Sequence, residues 1–347
     1  MLTLLGYALV ALLSTAIVWK GSDLLEGASG KLSDHYGLPE VVKGAIVIAV
    51  GSSFPELATT VISTLVHGSF ELGVSAIVGS AIFNVLVIPG LAGLLAEGPL
   101  TTNRDIIFKE AQFYLIAIAV LLLTFSFAAI YVPVATPSAD GAIEGTVNRW
   151  LAAIPLMTYA LYLFLQFQDT LEFEAPAHEP IQAAKQWALL VVSLGIILVG
   201  VEGLVRTAVA LGAYFHTPDF LWGATVLAAG TSVPDAFMSV KAARQGQPVA
   251  AVANVLGSNV FDLLVALPAG VLIAGAAVIN YSVAAPMMGI LTFATIVLFV
   301  LLRTGMQLTR TEAVVLLVLY AVFVVWIGCE CFDVIDLVPG LPPHDGL

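Results

Sequence analysis

Charge is what this sequence has least of. Only 10% of its 347 residues are Asp, Glu, Lys or Arg, against 60% hydrophobic residues, and the mean hydropathy is +1.02. That is too little charge to clothe a soluble protein of this size, which leaves an integral membrane protein and no separate soluble domain. Cysteine is nearly missing as well: Cys329 and Cys331 form CEC at the end of the last apolar run. Two thiols so placed make a poor metal site alone and read as small buried residues. All five histidines (His35, His67, His178, His216, His344) fall in expected loops or the tail, so the membrane interior offers no imidazole ligand. Basic residues are few, and the net charge of −12 comes from acidic stretches such as DTLEFEAPAHEP (169–180) and Glu330 to Asp345. These read as solvated surface, and nothing suggests nucleic acid.

What is present in excess is apolar length. Helical spans are expected at about 2–30, 38–66, 69–96, 105–132, 148–170, 183–212, 217–244, 247–275, 281–302 and 309–332, each able to cross a core of roughly 30 Å. Several exceed the ~20 residues that a perpendicular helix needs, so tilt or breakage is expected. The first lacks the charged leader and cleavage site of a secretory signal and is expected to persist in the mature chain. If the spans alternate in direction, one set of loops carries Lys31, Arg104, Lys109, Lys185, Lys241, Arg244, Arg303 and Arg310, and the other little beyond Arg149. By the positive-inside rule the first set is cytoplasmic and both termini are extracytoplasmic.

The chain also contains itself twice. Residues 19–56 align without gaps to residues 198–235: Gly21, Leu25, Pro39, Gly44, Ala45, Gly51, Ser53 and Pro55 meet identical partners 179 positions later. A second block, GSAIFN (79–84), matches GSNVFD (257–262) at an offset of 178. Each half holds about five spans. Five is odd, so the second half enters from the opposite face, as in transporters built from inverted repeats. The expectation is an all-α polytopic membrane protein of about ten transmembrane helices in two inverted five-helix repeats. These occupy 1–170 and 183–347 and are joined by a cytoplasmic acidic linker, 171–182.

The repeated motif puts chemistry at mid-membrane. In GSSFPE (51–56) and GTSVPD (230–235), Pro55 and Pro234 cannot donate a backbone hydrogen bond and crowd the carbonyls of Gly51 and Gly230. Breaks are expected there, with free carbonyls around Ala49–Ser52 and Ala228–Thr231 that need a partner. Glu56 and Asp235 lie too deep to reach water, at a cost of about 2.5–3.5 kcal/mol each, and intramembrane acids are functional candidates. Ser52, Ser53, Thr231 and Ser232 stand beside them, and the second block adds Ser80, Asn84, Ser258, Asn259 and Asp262. Such an all-oxygen set selects hard cations. Two ionised carboxylates balance one Ca²⁺ or two Na⁺, the least that an exchanger requires. A channel or an intramembrane protease is a competing class, but selectivity rings usually come from several subunits or parallel elements, and a protease has no use for the surrounding hydroxyls. Asp23 and Glu202, at matching positions outside the motif, read as boundary or packing residues, with Arg206 one turn from Glu202; GLAG (90–93) reads as a close-packing face.

These paired G-[ST]-S-x-P-[ED] and G-S-x-x-F-[ND] blocks resemble the alpha repeats of the cation/Ca²⁺ exchanger superfamily, which includes the Na⁺/Ca²⁺ exchangers. The resemblance covers both halves. It implies ten helices, with the second, third, seventh and eighth broken around the ions. It maps central Ca²⁺ carboxylates onto Glu56 and Asp235, and Na⁺-coordinating hydroxyls and carbonyls onto Ala49, Ser52, Ser53, Ser80, Ala228, Thr231, Ser232 and Ser258. Asn84 and Asp262 line the site. It further implies a secondary antiporter exchanging Ca²⁺ for Na⁺, with the first and sixth helices sliding to give alternating access, no cofactor, and inorganic cations and the lipid bilayer as partners. The chain departs from the pattern at Asp235, where many prokaryotic members carry Glu, and at Ala81, whose repeat mate is Asn259. GTSVPD followed by GSNVFD is also similar to the K⁺-dependent branch, in which the acid at position 262 is tied to K⁺; K⁺-dependent exchange and Ca²⁺/H⁺ antiport are the alternatives.

Overall fold

The computed structural model describes residues 2–37, 49–104, 106–134, 141–168, 182–338 and 341. Helix α1 (Leu2–His35) is followed by a short α2 (Ala49–Ser52), α3 (Phe54–Leu65) and α4 (Phe70–Leu95). Helices α5 (Ile106–Tyr131), which opens on a widened π turn, and α6 (Arg149–Gln168) complete the first half. The second half runs through α7 (Ala183–Phe215), a short α8 (Asp219–Trp222), a π-helical stretch Gly223–Leu227 and α9 (Ala228–Arg244). It ends with α10 (Pro248–Ala274), α11 (Tyr281–Arg303) and α12 (Arg310–Cys331).

Eight of these helices are long and apolar enough to cross a membrane: α1, α4, α5, α6, α7, α10, α11 and α12. The second and seventh expected spans supply the rest in pieces, α2 with α3 and α8 with α9. Every described span matches its sequence-based range to within a few residues. Residues 38–48 of the second span, most of the acidic linker, and residues 339, 340 and 342–347 of the tail lie outside the described residues. Glu330, expected at the solvated surface, is instead 0% exposed and accepts a hydrogen bond from Leu337 N at 2.6 Å. The chain is a multi-pass membrane protein.

Local chemistry explains where helices start. Asn148 accepts from Leu151 N at 3.0 Å at the head of α6, and Asn280 from Val283 N at 3.3 Å at the head of α11. Thr309 and Glu312 form a capping box on α12. At the centre lies α4, buried along its whole membrane-spanning window. It can sit there because its glycines admit neighbours: a Cβ on Gly79 would stand 2.4 Å from the carbonyl oxygen of Ala224. Gly90 and Gly93, of the GLAG face, receive Leu317 and Ala313 of α12.

The inverted repeat is visible in the packing. Gly21 of α1 receives Ile197 of α7, and its repeat mate Gly200 receives Val18, the mate of Ile197; a Cβ at either glycine would come within 2.6 Å and 2.7 Å of those side chains. Around this contact Val18, Leu25, Ile197, Val201 and Leu204 form a cluster separate from the main core. Two short antiparallel ribbons repeat the relation. Strand β1 (Leu100–Thr101), between α4 and α5, pairs with β4 (Gln307–Leu308), just before α12. Strand β2 (Glu144–Asn148), just before α6, pairs with β3 (Ala276–Asn280), between α10 and α11. Exchanging the halves turns one ribbon into the other, as a two-fold axis in the membrane plane requires.

Candidate cation site

In the first repeat the chain turns at Ser53 (φ −89°, ψ 8°), which separates α2 from α3. Pro55 then falls in the first turn of α3, where a missing N–H costs no helical bond. Glu56 sits in that same turn, so its carboxylate faces the positive end of the helix dipole. The break expected from GSSFPE is therefore present.

The second repeat solves the same sequence differently. Pro234 lies inside a continuous α9, and the irregular backbone is upstream, in the π-helical Gly223–Leu227. The expected break beside Asp235 is thus corrected: the widened turns ahead of the proline absorb the misfit. Thr231 Oγ1 donates to the carbonyls of Leu227 and Ala228, at 3.2 Å each, so the Ala228 carbonyl already has a partner. A second correction concerns the third span, which the resemblance breaks but which forms one helix, α4. The eighth also runs as one helix, α10, and is widened rather than broken, by a π-helical stretch Asp262–Ala266 that begins on the acid itself.

These elements bring the sequence-derived residues together. Ser80 and Ser232 share a hydrogen bond of 2.7 Å between their hydroxyls, and Ser53 Oγ donates to the Ser258 carbonyl at 3.4 Å. Asn84 Nδ2 donates to Asn259 Oδ1 at 2.9 Å. Glu56, Asp235 and Asp262 are 1%, 1% and 0% exposed. Thr231 stands beside Glu56, Ser53 beside Asp262, and Ser258, Ser52 and Asn84 beside Asp235. Yet no oxygen of the three carboxylates accepts a hydrogen bond of ordinary geometry among the described residues. Ala49 opens α2, but its side chain lies outside the described residues.

Among the described residues the charges do not cancel. The charged groups that bear on these three acids are other carboxylates: Asp262 and Asp235 on Glu56, Asp235 on Asp262, and Glu26 on Asp235. Buried acids without a basic partner or hydrogen bonds need cations or protons to be stable in hydrocarbon. Among the described residues no three acid, imidazole or thiol groups converge as the ligands of one tightly held metal. The donor set is mixed instead, of carboxylates, hydroxyls and one free amide oxygen, which suits a hard cation that binds and leaves.

Asn259 takes a different part from the one expected. Its Oδ1 is occupied by Asn84, and its Nδ2 donates to Tyr114 Oη at 2.9 Å and to the Ala81 carbonyl at 3.2 Å. It is a brace between α4, α5 and α10. The oxygen left free and buried is Asn84 Oδ1. Tyr114 was missed at the sequence level; the available signal is its phenol in the largely apolar stretch AQFYLIAIAV (111–120) of α5. Outside the cluster, Arg206 Nε pairs with Glu202 at 2.5 Å, as their spacing predicts, and Asp23 pairs with Lys20 at 2.9 Å.

The pattern of the family described as "Sodium/calcium exchanger protein" matches residues 6–168 and 185–328. The chain is 26% identical over 346 residues to the sodium/calcium exchanger MaX1 of Methanosarcina acetivorans, covering 91% of this chain and 97% of that protein. A solved structure of the sodium-calcium exchanger NCX_Mj is 25% identical, with TM-score 0.57 over 92% of this chain and 97% of that one. The crystal structure of the H⁺/Ca²⁺ exchanger CAX, at 14% identity, shares the fold with TM-score 0.69 over 94% of this chain and 84% of its own.

Proposed function

The chain belongs to the sodium/calcium exchanger protein family, and from that premise we propose that it is a secondary antiporter exporting Ca²⁺ against inward Na⁺ flow. Glu56, Asp235 and Asp262 bind the ions in turn, with hydroxyls from both repeats and Asn84 Oδ1 completing the cage. The observation that carries this reading is the set of six carboxylate oxygens buried at the repeat interface with no hydrogen bond of ordinary geometry among the described residues. One Ca²⁺ or two Na⁺ neutralise two of those charges, so occupancy by either removes most of the burial penalty and neither needs to share the cage. Alternating access by displacement of α1 and α7 is supported by their close mutual packing at Gly21 and Gly200, in a cluster that also takes in Ala58 of α3 and Leu72 and Ala76 of α4. The scarcity of basic residues on one set of loops supports an orientation with both termini outside.

The third acid supports a second reading. With Asp262 ionised, one Ca²⁺ leaves a net charge of −1 that K⁺ or H⁺ would balance. The experiment is an ion-substitution series in vesicles. Vesicles loaded with Na⁺ and diluted into Na⁺-free medium should take up ⁴⁵Ca²⁺, and replacing the Na⁺ gradient with a proton gradient should abolish uptake. Uptake driven equally well by protons would make the chain a Ca²⁺/H⁺ antiporter, and an absolute requirement for K⁺ would assign the third charge to that ion.

A further inference from the structure

One buried polar surface has no part in the cation cage. On α1, Ser22, Ser29 and Ser33 are 4%, 5% and 2% exposed, and Glu26 lies half-buried among them. The spacing 22, 26, 29, 33 sets the four side chains along one helical face. The adjoining face, with Val18, Gly21 and Leu25, is the one that packs on α7. The polar stripe therefore faces the elements that carry the site. A Cβ on Gly51 of α2 would stand 3.7 Å from Ser29 Oγ, and Trp19 stacks on Phe237 of α9 with ring centroids 4.6 Å apart.

Two of the hydroxyls bond their own helix: Ser29 Oγ donates to the Glu26 carbonyl at 3.1 Å and Ser33 Oγ to the Ser29 carbonyl at 2.8 Å. Ser22 Oγ is buried with no hydrogen-bond partner among the described residues. Glu26 is within electrostatic reach of Asp235 at one end and of Lys241 at the other, with Asp23 on its own helix also bearing on it. Asp23 is itself paired with Lys20. The stripe thus runs from the depth of the cage toward the face that carries Lys31, Lys241 and Arg244. Apolar packing would be served by alanine at each of these positions, whereas a carboxylate and a free hydroxyl inside a membrane helix bundle are costly without a ligand.

We propose that this stripe is the wall of an ion path between the cage and the basic face, and that Glu26 receives the cation on that path before Asp235. The inference rests on the exchange reading above. A single carboxylate with neighbouring hydroxyls concentrates cations without trapping them, which conduction requires. Lys241 opposes the cation at the mouth and sets how strongly Glu26 attracts it.

The test compares ⁴⁵Ca²⁺ uptake at subsaturating concentrations from each face of vesicles with known protein orientation. Glu26→Gln should raise KM at the basic face about 10-fold, the lower end of electrostatic focusing. KM at the opposite face should stay unchanged, and equilibrium Ca²⁺ affinity in detergent, which Glu26 touches only through its charge on Asp235, should fall far less than KM at the basic face rises. Glu26→Asp should restore the basic-face value, and Lys241→Gln should lower it below that of the unaltered chain. Unchanged KM in Glu26→Gln, or an equal loss from both faces, would overturn the proposal. So would a Lys241→Gln phenotype matching Glu26→Gln, because that is the mark of a structural ion pair. Absence of Ca²⁺ binding and uptake in the unaltered chain would instead remove the exchange reading on which the path depends.

Discussion

Ser80 and Ser232 join the two halves of the chain through a 2.7 Å hydrogen bond between their hydroxyls. Their repeat mates Ser258 and Ser53 also meet, but there the Ser53 hydroxyl donates to the Ser258 carbonyl, at 3.4 Å, while Ser258 Oγ donates to the Val255 carbonyl. The two sides of the cage are related by symmetry in position and differ in chemistry. The difference follows from the backbone: the first repeat turns at Ser53, whereas Ser232 lies in the uninterrupted α9.

Removing one hydroxyl of the Ser80–Ser232 pair leaves the other buried and unpaired, at a cost of about 1–3 kcal/mol. Ser232→Ala should therefore lower thermal stability, and Ser80→Ala combined with Ser232→Ala should regain much of it. The Na⁺ dependence of Ca²⁺ uptake should be weakened in both variants. Stability losses that simply add in a double-mutant cycle, measured by thermal unfolding in detergent, would show that the two hydroxyls do not interact.

Glu56→Gln should abolish Ca²⁺ uptake, because it removes a charge from a buried carboxylate that no described basic group balances. Asp235→Glu keeps the charge, lengthens the reach by one methylene and should retain part of the activity. Comparable ⁴⁵Ca²⁺ flux in Glu56→Gln and the unaltered chain would take Glu56 out of the site.

Asp262→Asn tests the third charge. Since Asp262 and Asp235 bear on Glu56 together, neutralising Asp262 should weaken Ca²⁺ binding less than Glu56→Gln does and should remove any K⁺ or proton requirement found in the substitution series. Titration of ⁴⁵Ca²⁺ binding with and without K⁺ and across pH reads both effects. A variant as inactive as Glu56→Gln would make Asp262 a direct Ca²⁺ ligand of equal weight.

Gly79→Ala should be among the most damaging single changes. Its Cβ would meet the backbone of Ala224 at 2.4–2.8 Å, and neither helix can retreat without moving the cage. At Gly289 in α11 nothing lies within 4 Å of an added Cβ, so Gly289→Ala should change stability by no more than about 1 kcal/mol, the helix-propensity difference. Thermal unfolding of the two variants side by side provides the comparison.

Much of this was legible in the sequence, because membrane burial writes itself as long apolar runs and a duplication preserves Gly and Pro at fixed spacing. The spans, the inverted halves, and Glu56, Asp235 and their neighbouring hydroxyls follow from those two signals. The fate of the two prolines does not. GSSFPE and GTSVPD are nearly the same motif, yet one opens a helix and the other lies within one, since the strain can be absorbed several residues away at Gly223–Leu227. Nor could periodicity reveal that Asn259 would be held by Tyr114, a contact between residues 145 apart in sequence. The ribbons joining β1 to β4 and β2 to β3 were equally hidden, being contacts between distant loops.

The central claim is that a single buried cage holds either Ca²⁺ or Na⁺. Equilibrium ⁴⁵Ca²⁺ binding to the purified chain in detergent, titrated with Na⁺ at constant ionic strength, tests it most directly. Na⁺ should displace Ca²⁺ competitively and with a dependence steeper than first order, and Glu56→Gln should bind neither ion. Ca²⁺ binding that is unaffected by saturating Na⁺ would contradict the shared cage.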